Sequence, residues 1–173
     1  MAFVRNGLHF REVEEFDLEW LRALRNDPRN TPGWRDQRSV QTIHNQDAWY
    51  MTLNNLNQAF VVGDGNEFKR ETVGLLRFRL DYSMSIASMT GTDVMPELTG
   101  KGYGRRILRS GAEYVIQELG FHRVTAEALE SNTAAIHIIQ AAGFKSEGTL
   151  RGYIWRNGKW NNWHIFSLLR EEL

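Results

Sequence analysis

Apolar and polar positions recur along the chain with two different periods, which predict strands and helices in turn. Near the N-terminus, alternation over residues 8–13 predicts a first strand. Apolar residues at helical spacing follow, so a helix is predicted after Asp17, which can cap it. Residues 27–39 are rich in Pro, Gly, Asn and Arg and predict a loop, and a second helix is predicted near residues 47–56.

The middle of the chain predicts a hairpin, then a strand, then a long helix. Residues 59–63 and 72–82 have the pattern of strands, and the Asp-Gly-Asn sequence at 64–66 is typical of the turn between them. Residues 86–94 predict the next strand. Over about 102–119, apolar residues recur every three or four positions, so one side of a helix is expected to pack on a sheet.

The C-terminal part of the chain continues this mixture. A short strand is predicted over residues 123–129, a helix after Asn132 and a long strand from Phe144. The Asn-Gly pair at 157–158 is typical of a tight hairpin turn. The order of elements predicts an α+β fold, with a largely antiparallel sheet and helices on its faces.

The composition narrows the classes of protein to which this chain can belong. A length of 173 residues suits one domain, so residues 1–173 are predicted to fold as a single unit. Lys and Arg number 21, as do Asp and Glu, so no broad positive surface is expected for nucleic acid or an anionic membrane. There is no cysteine, which excludes thiolate chemistry, and we expect no metal. No signal-like or membrane-spanning apolar run is present, and we expect a cytoplasmic protein.

The most informative segment is the loop that leads into the long helix, Val-Met-Pro-Glu-Leu-Thr-Gly-Lys-Gly-Tyr-Gly over residues 94–104. A helix N-terminus presents unpaired N–H groups and the positive end of the helix dipole, and glycine lets an anion approach the backbone closely. Gly100, Gly102 and Gly104 open such a helix, and Lys101 adds positive charge beside them. A dinucleotide-binding fingerprint would need glycine at position 105, where this chain has Arg. A P-loop would need Ser or Thr directly after Gly-Lys, where this chain has Gly102. The segment therefore predicts a phosphate cradle of another kind.

A second segment carries independent information. Residues 132–144 read Asn-Thr-Ala-Ala-Ile-His-Ile-Ile-Gln-Ala-Ala-Gly-Phe. Together with residues 94–104 they resemble the two motifs of the GNAT superfamily of N-acetyltransferases, although Thr99 stands where that family usually has Arg or Gln. Residues 147–151 and 166–169 resemble the C-terminal hairpin of the RimJ/RimL-like branch. The resemblance covers about half of the chain.

The resemblance implies acetyl-CoA as the co-substrate, an amine as the acceptor and direct transfer without an acyl-enzyme. It implies that the pantetheine arm lies beside the strand at Val94 and Met95, and that the glycine loop takes the pyrophosphate. Asn132 would bond the pantetheine or position the thioester, although Asn is also a good helix cap. The implied cofactor-binding residues are Val94, Met95, Thr99, Gly100, Lys101, Gly102, Tyr103, Gly104, Arg105 and Asn132.

The resemblance leaves the proton-transfer groups open. The family's usual Tyr and Ser positions are Ile139 and Ala135 here. The carboxylates nearest the cofactor strands belong to Asp93, which can instead anchor a loop, and to Glu127, which has apolar neighbours on its strand. We prefer Glu127 as the general base, and transfer that relies on positioning and solvent is a further option. The predicted catalytic residues are Glu127, Asn132 and Asp93.

The acceptor is not identified by the sequence. Trp49 and Tyr50 are predicted to line its pocket, and a protein N-terminus, an amino sugar or a polyamine are all compatible with the resemblance. The branch often carries Asp where this chain has Asn162. An exposed hairpin with Trp160 and Trp163 is compatible with a homodimer.

Two functions of other classes stay open at this stage. A non-catalytic acyl-CoA-binding module would explain the missing Tyr and Ser, and it predicts binding without turnover. A nucleic-acid-binding domain could use the basic residues between Lys101 and Arg109, but the neutral net charge argues against it, and we expect no nucleic-acid partner.

Overall fold

The computed structural model describes residues 2–30, 40–66 and 69–173. Its strands are β1 Ala2–Arg5, β2 Leu8–Glu12, β3 Asn57–Asn66, β4 Lys69–Asp81, β5 Ile86–Val94, β6 Arg123–Leu129, β7 Lys145–Arg156 and β8 Lys159–Leu169. Its α-helices are α1 Leu18–Asn26, α2 Ile43–Tyr50, α3 Tyr103–Gln117 and α4 Thr133–Ala141.

All eight strands form one sheet in the order β1-β2-β3-β4-β5-β6-β8-β7. Neighbouring strands are antiparallel except β5 and β6, which are parallel and are joined through α3. A parallel pair needs such a crossover because both strands must start at the same edge of the sheet. The predicted α+β architecture with a largely antiparallel sheet is confirmed.

Helices cover the two faces of the sheet unequally. On one face, α3 and α4 pack on a large core that contains Phe10, Phe60 and Phe166. On the other, α1 and α2 cover a smaller core around Leu21 and Leu75. We call this second surface the α1–α2 face. It extends past the helices onto β5, β6 and β8.

The sheet opens between its two parallel strands. β5 and β6 pair only from Ile86↔Arg123 to Met89↔Ala126, and Thr90 forms a bulge in the pairing of β5 with β4. Beyond that point β6 stays paired with β8 as far as Leu129, so it diverges from β5. The edge of β5 over residues 90–94 therefore borders a wedge-shaped gap, which we call the β5–β6 gap.

Several predictions from the sequence are confirmed. Strands occupy residues 86–94 and 123–129 as predicted. The hairpin between β7 and β8 turns at Asn157 and Gly158, which have φ angles of 52° and 75°. These values match a type I′ turn, in which both central residues need positive φ.

Other predictions need correction. The strand β1 was not expected, and α2 begins earlier than predicted because Thr42 caps it, accepting a hydrogen bond from the N–H of Asn45 at 3.1 Å. Residues 64–66 are not a turn: β3 and β4 stay paired through them. Of the predicted loop over 27–39, residues 31–39 lie outside the described part of the chain.

Asp17 occupies the N-cap position of α1, but its carboxylate does not cap the helix. It accepts two hydrogen bonds from Arg11, at 2.6 and 2.7 Å, and one from the indole N–H of Trp20 at 3.0 Å. Burial raises the pKa of Asp17 and these bonds lower it, and the net effect is a lowered pKa. The residue therefore fastens the start of α1 to β2.

No helix among the described residues is long and apolar enough to cross a membrane.

The close approach of β4 and β5 generates the first prediction. A Cβ placed on Gly74 would collide with the backbone carbonyl of Asp93, which cannot move without shifting β5. We expect Gly74→Ala to lower the free energy of unfolding by about 1–3 kcal/mol, the usual cost of overpacking. Urea unfolding measures it.

Gly100→Ala is the comparison variant. Its new methyl group meets nothing within 4 Å but its φ is 81°, so its loss of stability reports backbone strain without collision, whereas Gly74→Ala reports collision without a positive φ. A Gly74→Ala protein as stable as the wild type would contradict the tight spacing of these strands.

Candidate active site

The glycine loop lies at the mouth of the β5–β6 gap, between the end of β5 and the start of α3. Gly100 and Gly102 have φ angles of 81° and 83°, in the left-handed region that other residues avoid. A Cβ on either residue would point into open space. Their lack of side chains therefore serves the backbone conformation, and it leaves the surface above them open to a ligand.

The first turn of α3 supplies the donors of this cradle. Gly102 is the N-cap residue and makes no side-chain cap, and the N–H groups of Tyr103, Gly104 and Arg105 fall in the first turn, where no intrahelical acceptor exists. Lys101 and Arg105 are exposed beside them. The N-terminal end of the helix thus offers backbone donors and positive charge to an anion such as a pyrophosphate.

Gly104 has a different role from that of the two preceding glycines. It is buried, and a Cβ there would lie 2.8 Å from the Cδ1 of Ile138 on α4. Its missing side chain lets α3 and α4 approach closely. The loop and the start of α4 are held together by this contact.

Asp64 on β3 holds the other side of the helix start. It accepts hydrogen bonds from the hydroxyl of Tyr103 at 2.9 Å and from Arg106 Nη1 at 3.1 Å. Burial raises the pKa of Asp64, but these two hydrogen bonds outweigh burial, so the net effect is a lowered pKa. The hydrogen bond between Tyr103 and Asp64 raises the pKa of Tyr103. Arg106 is therefore an anchor for α3, and Tyr103 can offer the cofactor its backbone N–H while its hydroxyl is bonded to Asp64.

The backbone of β5 beside the gap can be assigned from its hydrogen bonds. Met95 donates its N–H to the carbonyl of Val73 at 2.9 Å, and its own carbonyl accepts from Leu98 at 2.8 Å. Alternation along the strand directs the N–H of Val94 away from β4, towards the gap. Of the two residues predicted to bond the pantetheine, Val94 thus has its N–H on the correct side, whereas the N–H of Met95 is bonded within the chain.

Asn132 borders the gap from the side of β6. Its Oδ1 accepts a hydrogen bond from the N–H of Ala135 at 3.1 Å, which caps α4. The cap uses the oxygen, so a bond to the pantetheine would use the amide nitrogen. On the same helix Ile139 is buried in the large core and His137 is exposed.

The two candidate bases lie on opposite sides of the gap. Val124, Ala126 and Ala128 point into the large core, so Glu127 points to the α1–α2 face, where it is exposed. The indole N–H of Trp163 on β8 donates to its Oε2 at 2.7 Å. A buried indole thus orients an exposed carboxylate beside the gap.

Asp93 lies across the gap on β5 and is paired. Its Oδ2 lies 3.1 Å from Arg77 Nη2, with both side chains less than one-sixth exposed. Uptake of a proton by Asp93 would remove the negative charge from this ion pair. The geometry of Asp93 suits an anchor between β4 and β5 better than a proton acceptor. An anchoring role was the alternative to catalysis that the sequence left open for this residue.

A cavity of about 210 Å³ adjoins the bulge of β5 on the α1–α2 face. We call it the Trp49 cavity. Trp49 and Leu53 form its apolar side, and Arg77 and Thr90 line it next to β5. Tyr50, the second predicted acceptor residue, packs against the smaller core instead of lining this cavity.

Sequence reasoning missed Thr90 and Arg77, and it placed Trp163 in an exposed hairpin, whereas Trp163 is buried and bonded to Glu127. The bulge at Thr90 depends on strand register, and the orientation of Glu127 depends on a tryptophan 36 positions away. Only the contiguous loop and helix start carried a local signal.

Comparisons with known proteins agree with this geometry. A family model described as an acetyltransferase (GNAT) domain matches residues 8–145. The uncharacterized N-acetyltransferase YoaA of Bacillus subtilis is 24% identical over 165 residues, covering 94% of this chain and 93% of the relative. The spermidine N(1)-acetyltransferase of Vibrio cholerae is 24% identical over 162 residues, covering 92% and 91%.

Among solved structures, a spermidine N-acetyltransferase from Vibrio cholerae in complex with CoA and spermine superimposes with a TM-score of 0.85. It is 23% identical in sequence, and the match covers 97% of this chain and 98% of that one. At this identity the likeness establishes a shared fold.

The open surface above Gly102 generates a prediction about CoA. Gly102→Glu adds bulk and negative charge where the pyrophosphate would lie, so we expect it to abolish CoA binding in calorimetry while circular dichroism shows an intact fold.

Gly102→Gln is the matched control, because it has the same bulk and the same backbone strain without the charge. We expect it to bind CoA more tightly than Gly102→Glu. Full affinity in both variants would remove the loop from the phosphate site.

Proposed function

Because this chain belongs to the GNAT family of acetyl-CoA-dependent N-acetyltransferases, we propose that it transfers the acetyl group to a primary amine bound on the α1–α2 face. The observation that carries the proposal is the β5–β6 gap with the glycine cradle at its mouth. The gap offers an unpaired strand edge, and the cradle offers backbone donors to a pyrophosphate.

The same observations support a definite orientation of acetyl-CoA. With the pyrophosphate at residues 100–104, the pantetheine arm would run along β5 from Val94 towards the closed end of the gap. Thr90 lies four positions before Val94 on the strand, about 13 Å away at the usual rise per residue. The thioester would therefore lie near Thr90, beside Glu127 and the Trp49 cavity.

The reaction needs a neutral amine at that point. The amine nitrogen attacks the thioester carbonyl carbon, the carbon–sulfur bond breaks, and CoA leaves as a thiolate that takes up a proton. Glu127, oriented by Trp163, would accept the proton of the acceptor ammonium directly or through water. Asn132 would position the thioester from the other side of the gap.

The proposed acceptor is a small amine or a protein N-terminus. A spermidine acetyltransferase among the relatives makes polyamines the first class to test, whereas membership of the RimJ/RimL-like branch would favour an N-terminus. A cytoplasmic location and a homodimer stay predictions of the sequence.

The deciding experiment measures thiol release from acetyl-CoA with peptides, polyamines, aminoglycosides and amino sugars, and CoA affinity by calorimetry in parallel. We expect CoA to bind and one acceptor class to be acetylated. Tight CoA binding without turnover on any amine would favour the acyl-CoA-binding module, and failure of both would refute the proposal.

Glu127→Gln tests the base. We expect it to lower turnover most at neutral pH, where the acceptor amine is protonated, and less at high pH, where free amine is abundant. The pH profile of kcat/KM measures this.

Glu130→Gln is the control, since it removes an exposed carboxylate three residues away. Identical pH profiles for Glu127→Gln and the wild type would exclude Glu127 from the mechanism.

A further inference from the structure

The tripeptide Arg-Asn-Gly occurs twice in the chain, at residues 5–7 and 156–158. Each copy forms the two-residue turn of a hairpin, between β1 and β2 in the first case and between β7 and β8 in the second. The φ angles of Asn and Gly are 51° and 73° in the first turn and 52° and 75° in the second. The two asparagines therefore share their flanking residues and their backbone conformation, and they can be compared directly.

An Asn-Gly pair can react with itself. The backbone nitrogen of the glycine, after losing its proton to hydroxide, attacks the side-chain carbonyl carbon of the asparagine, and glycine has no side chain to hinder this approach. The bond from that carbon to the amide nitrogen breaks, and the nitrogen leaves as ammonia with a proton from water. Water then opens the cyclic succinimide at either carbonyl, which gives aspartate or isoaspartate. The net reaction consumes one water molecule and needs no other reactant.

The side-chain amide of Asn6 is held in place. Its Nδ2 donates hydrogen bonds to Ser110 Oγ and to Glu113 Oε2 on α3, both at 3.0 Å. Arg106 of the same helix donates to the backbone carbonyl of Asn6 at 3.1 Å. Both the turn and the nitrogen that would leave are thus tied to α3. The side chain must break two hydrogen bonds before it can rotate towards the N–H of Gly7.

The side-chain amide of Asn157 has no such restraint. Within the described part of the chain it makes no hydrogen bond, and both Asn157 and Gly158 are exposed. Asn161 Nδ2 donates to the carbonyls of Arg156 and Lys159 at 3.0 and 2.9 Å. These bonds hold the two ends of the turn and do not involve the side chain of Asn157.

The second turn also lies at the end of a ribbon of two strands. The pairing of β8 with β6 ends at Leu129↔Trp163, and nearer the tip β8 pairs with β7. A two-stranded hairpin is marginally stable by itself, and such a tip opens locally more readily than the interior of a sheet. Opening lets Asn157 leave its left-handed conformation, so that its side chain can reach the geometry for attack by the Gly158 nitrogen.

We propose that Asn157 is a site of spontaneous deamidation in the folded protein, whereas Asn6 is protected by its contacts with α3. This inference concerns a chemical modification of the chain and does not depend on acetyl transfer. The rate is expected to rise with pH, because hydroxide must remove the proton from the N–H of Gly158 before the attack.

Deamidation would alter the tip of the hairpin. Either product adds a negative charge close to Lys159, and isoaspartate also inserts a methylene group into the backbone of a two-residue turn. Such a turn no longer fits the register Arg156↔Lys159 that closes the hairpin. Trp155 and Trp160, whose ring centres lie 5.5 Å apart beside the turn, are therefore expected to separate, and tryptophan fluorescence can follow this change.

Both sites can be compared in the same molecule. The folded wild-type protein is incubated in oxygen-18 water at mildly alkaline pH, so that carboxylates formed during the incubation are labelled, and its chymotryptic peptides are analysed by mass spectrometry. We expect Asn157 to deamidate at least about tenfold faster than Asn6, the factor that corresponds to one charge-assisted hydrogen bond. Equal rates, a faster reaction at Asn6 or no reaction at Asn157 would overturn the proposal.

Two controls separate the effect of the fold from that of the sequence. In urea the contacts with α3 are lost, so the two Arg-Asn-Gly copies are expected to react at similar rates. A preference for Asn157 that persists in urea would trace the selectivity to the sequence and refute the structural explanation.

The double variant Ser110→Ala, Glu113→Ala removes both acceptors of the Asn6 amide. We expect deamidation at Asn6 to accelerate at least about tenfold while the rate at Asn157 stays unchanged, provided that circular dichroism shows an intact fold. An unchanged rate at Asn6 in the folded variant would show that these hydrogen bonds do not protect it.

Discussion

The site depends on how backbone hydrogen bonds are distributed between three strands. β6 pairs with β8 along its whole length, but with β5 over only four residues. The upper part of β5 thus borders a gap while its other edge stays bonded to β4. Unpaired backbone groups need a partner, and a ligand that presents amide groups in extended form can provide it. Every other element of the site is arranged around this gap.

Hydrogen bonds and close packing between different strands and helices hold the elements around the gap together. Asp64 fixes the start of α3 to β3, the close packing at Gly104 fixes it to α4, and Trp163 of β8 holds Glu127. The cradle, the start of α4 and the carboxylate are therefore positioned by contacts with neighbouring strands and helices. Such support is the usual requirement of a site that must hold reacting groups in register.

The sequence predicted those parts of the molecule that have a local cause. The glycine loop, the strands at 86–94 and 123–129, and the hairpin turn at Asn157 follow from residues that are neighbours in the chain. The prediction of a turn at residues 64–66 was wrong, because tertiary contacts from α3 to Asp64 compete with the local preference of Asp and Gly for turns. The environment of Asp93, of Glu127 and of the Trp49 cavity depends on residues distant in sequence, so no local pattern could reveal it.

Gly91 places a constraint on how this protein can change over evolutionary time. Because any side chain at this position would displace the guanidinium of Arg77, residues 77 and 91 can vary freely only as a pair. A lineage that replaced the glycine first would lose the placement of the positive group before gaining another. Among descendants of a common ancestor, residues 77 and 91 are therefore expected to change together.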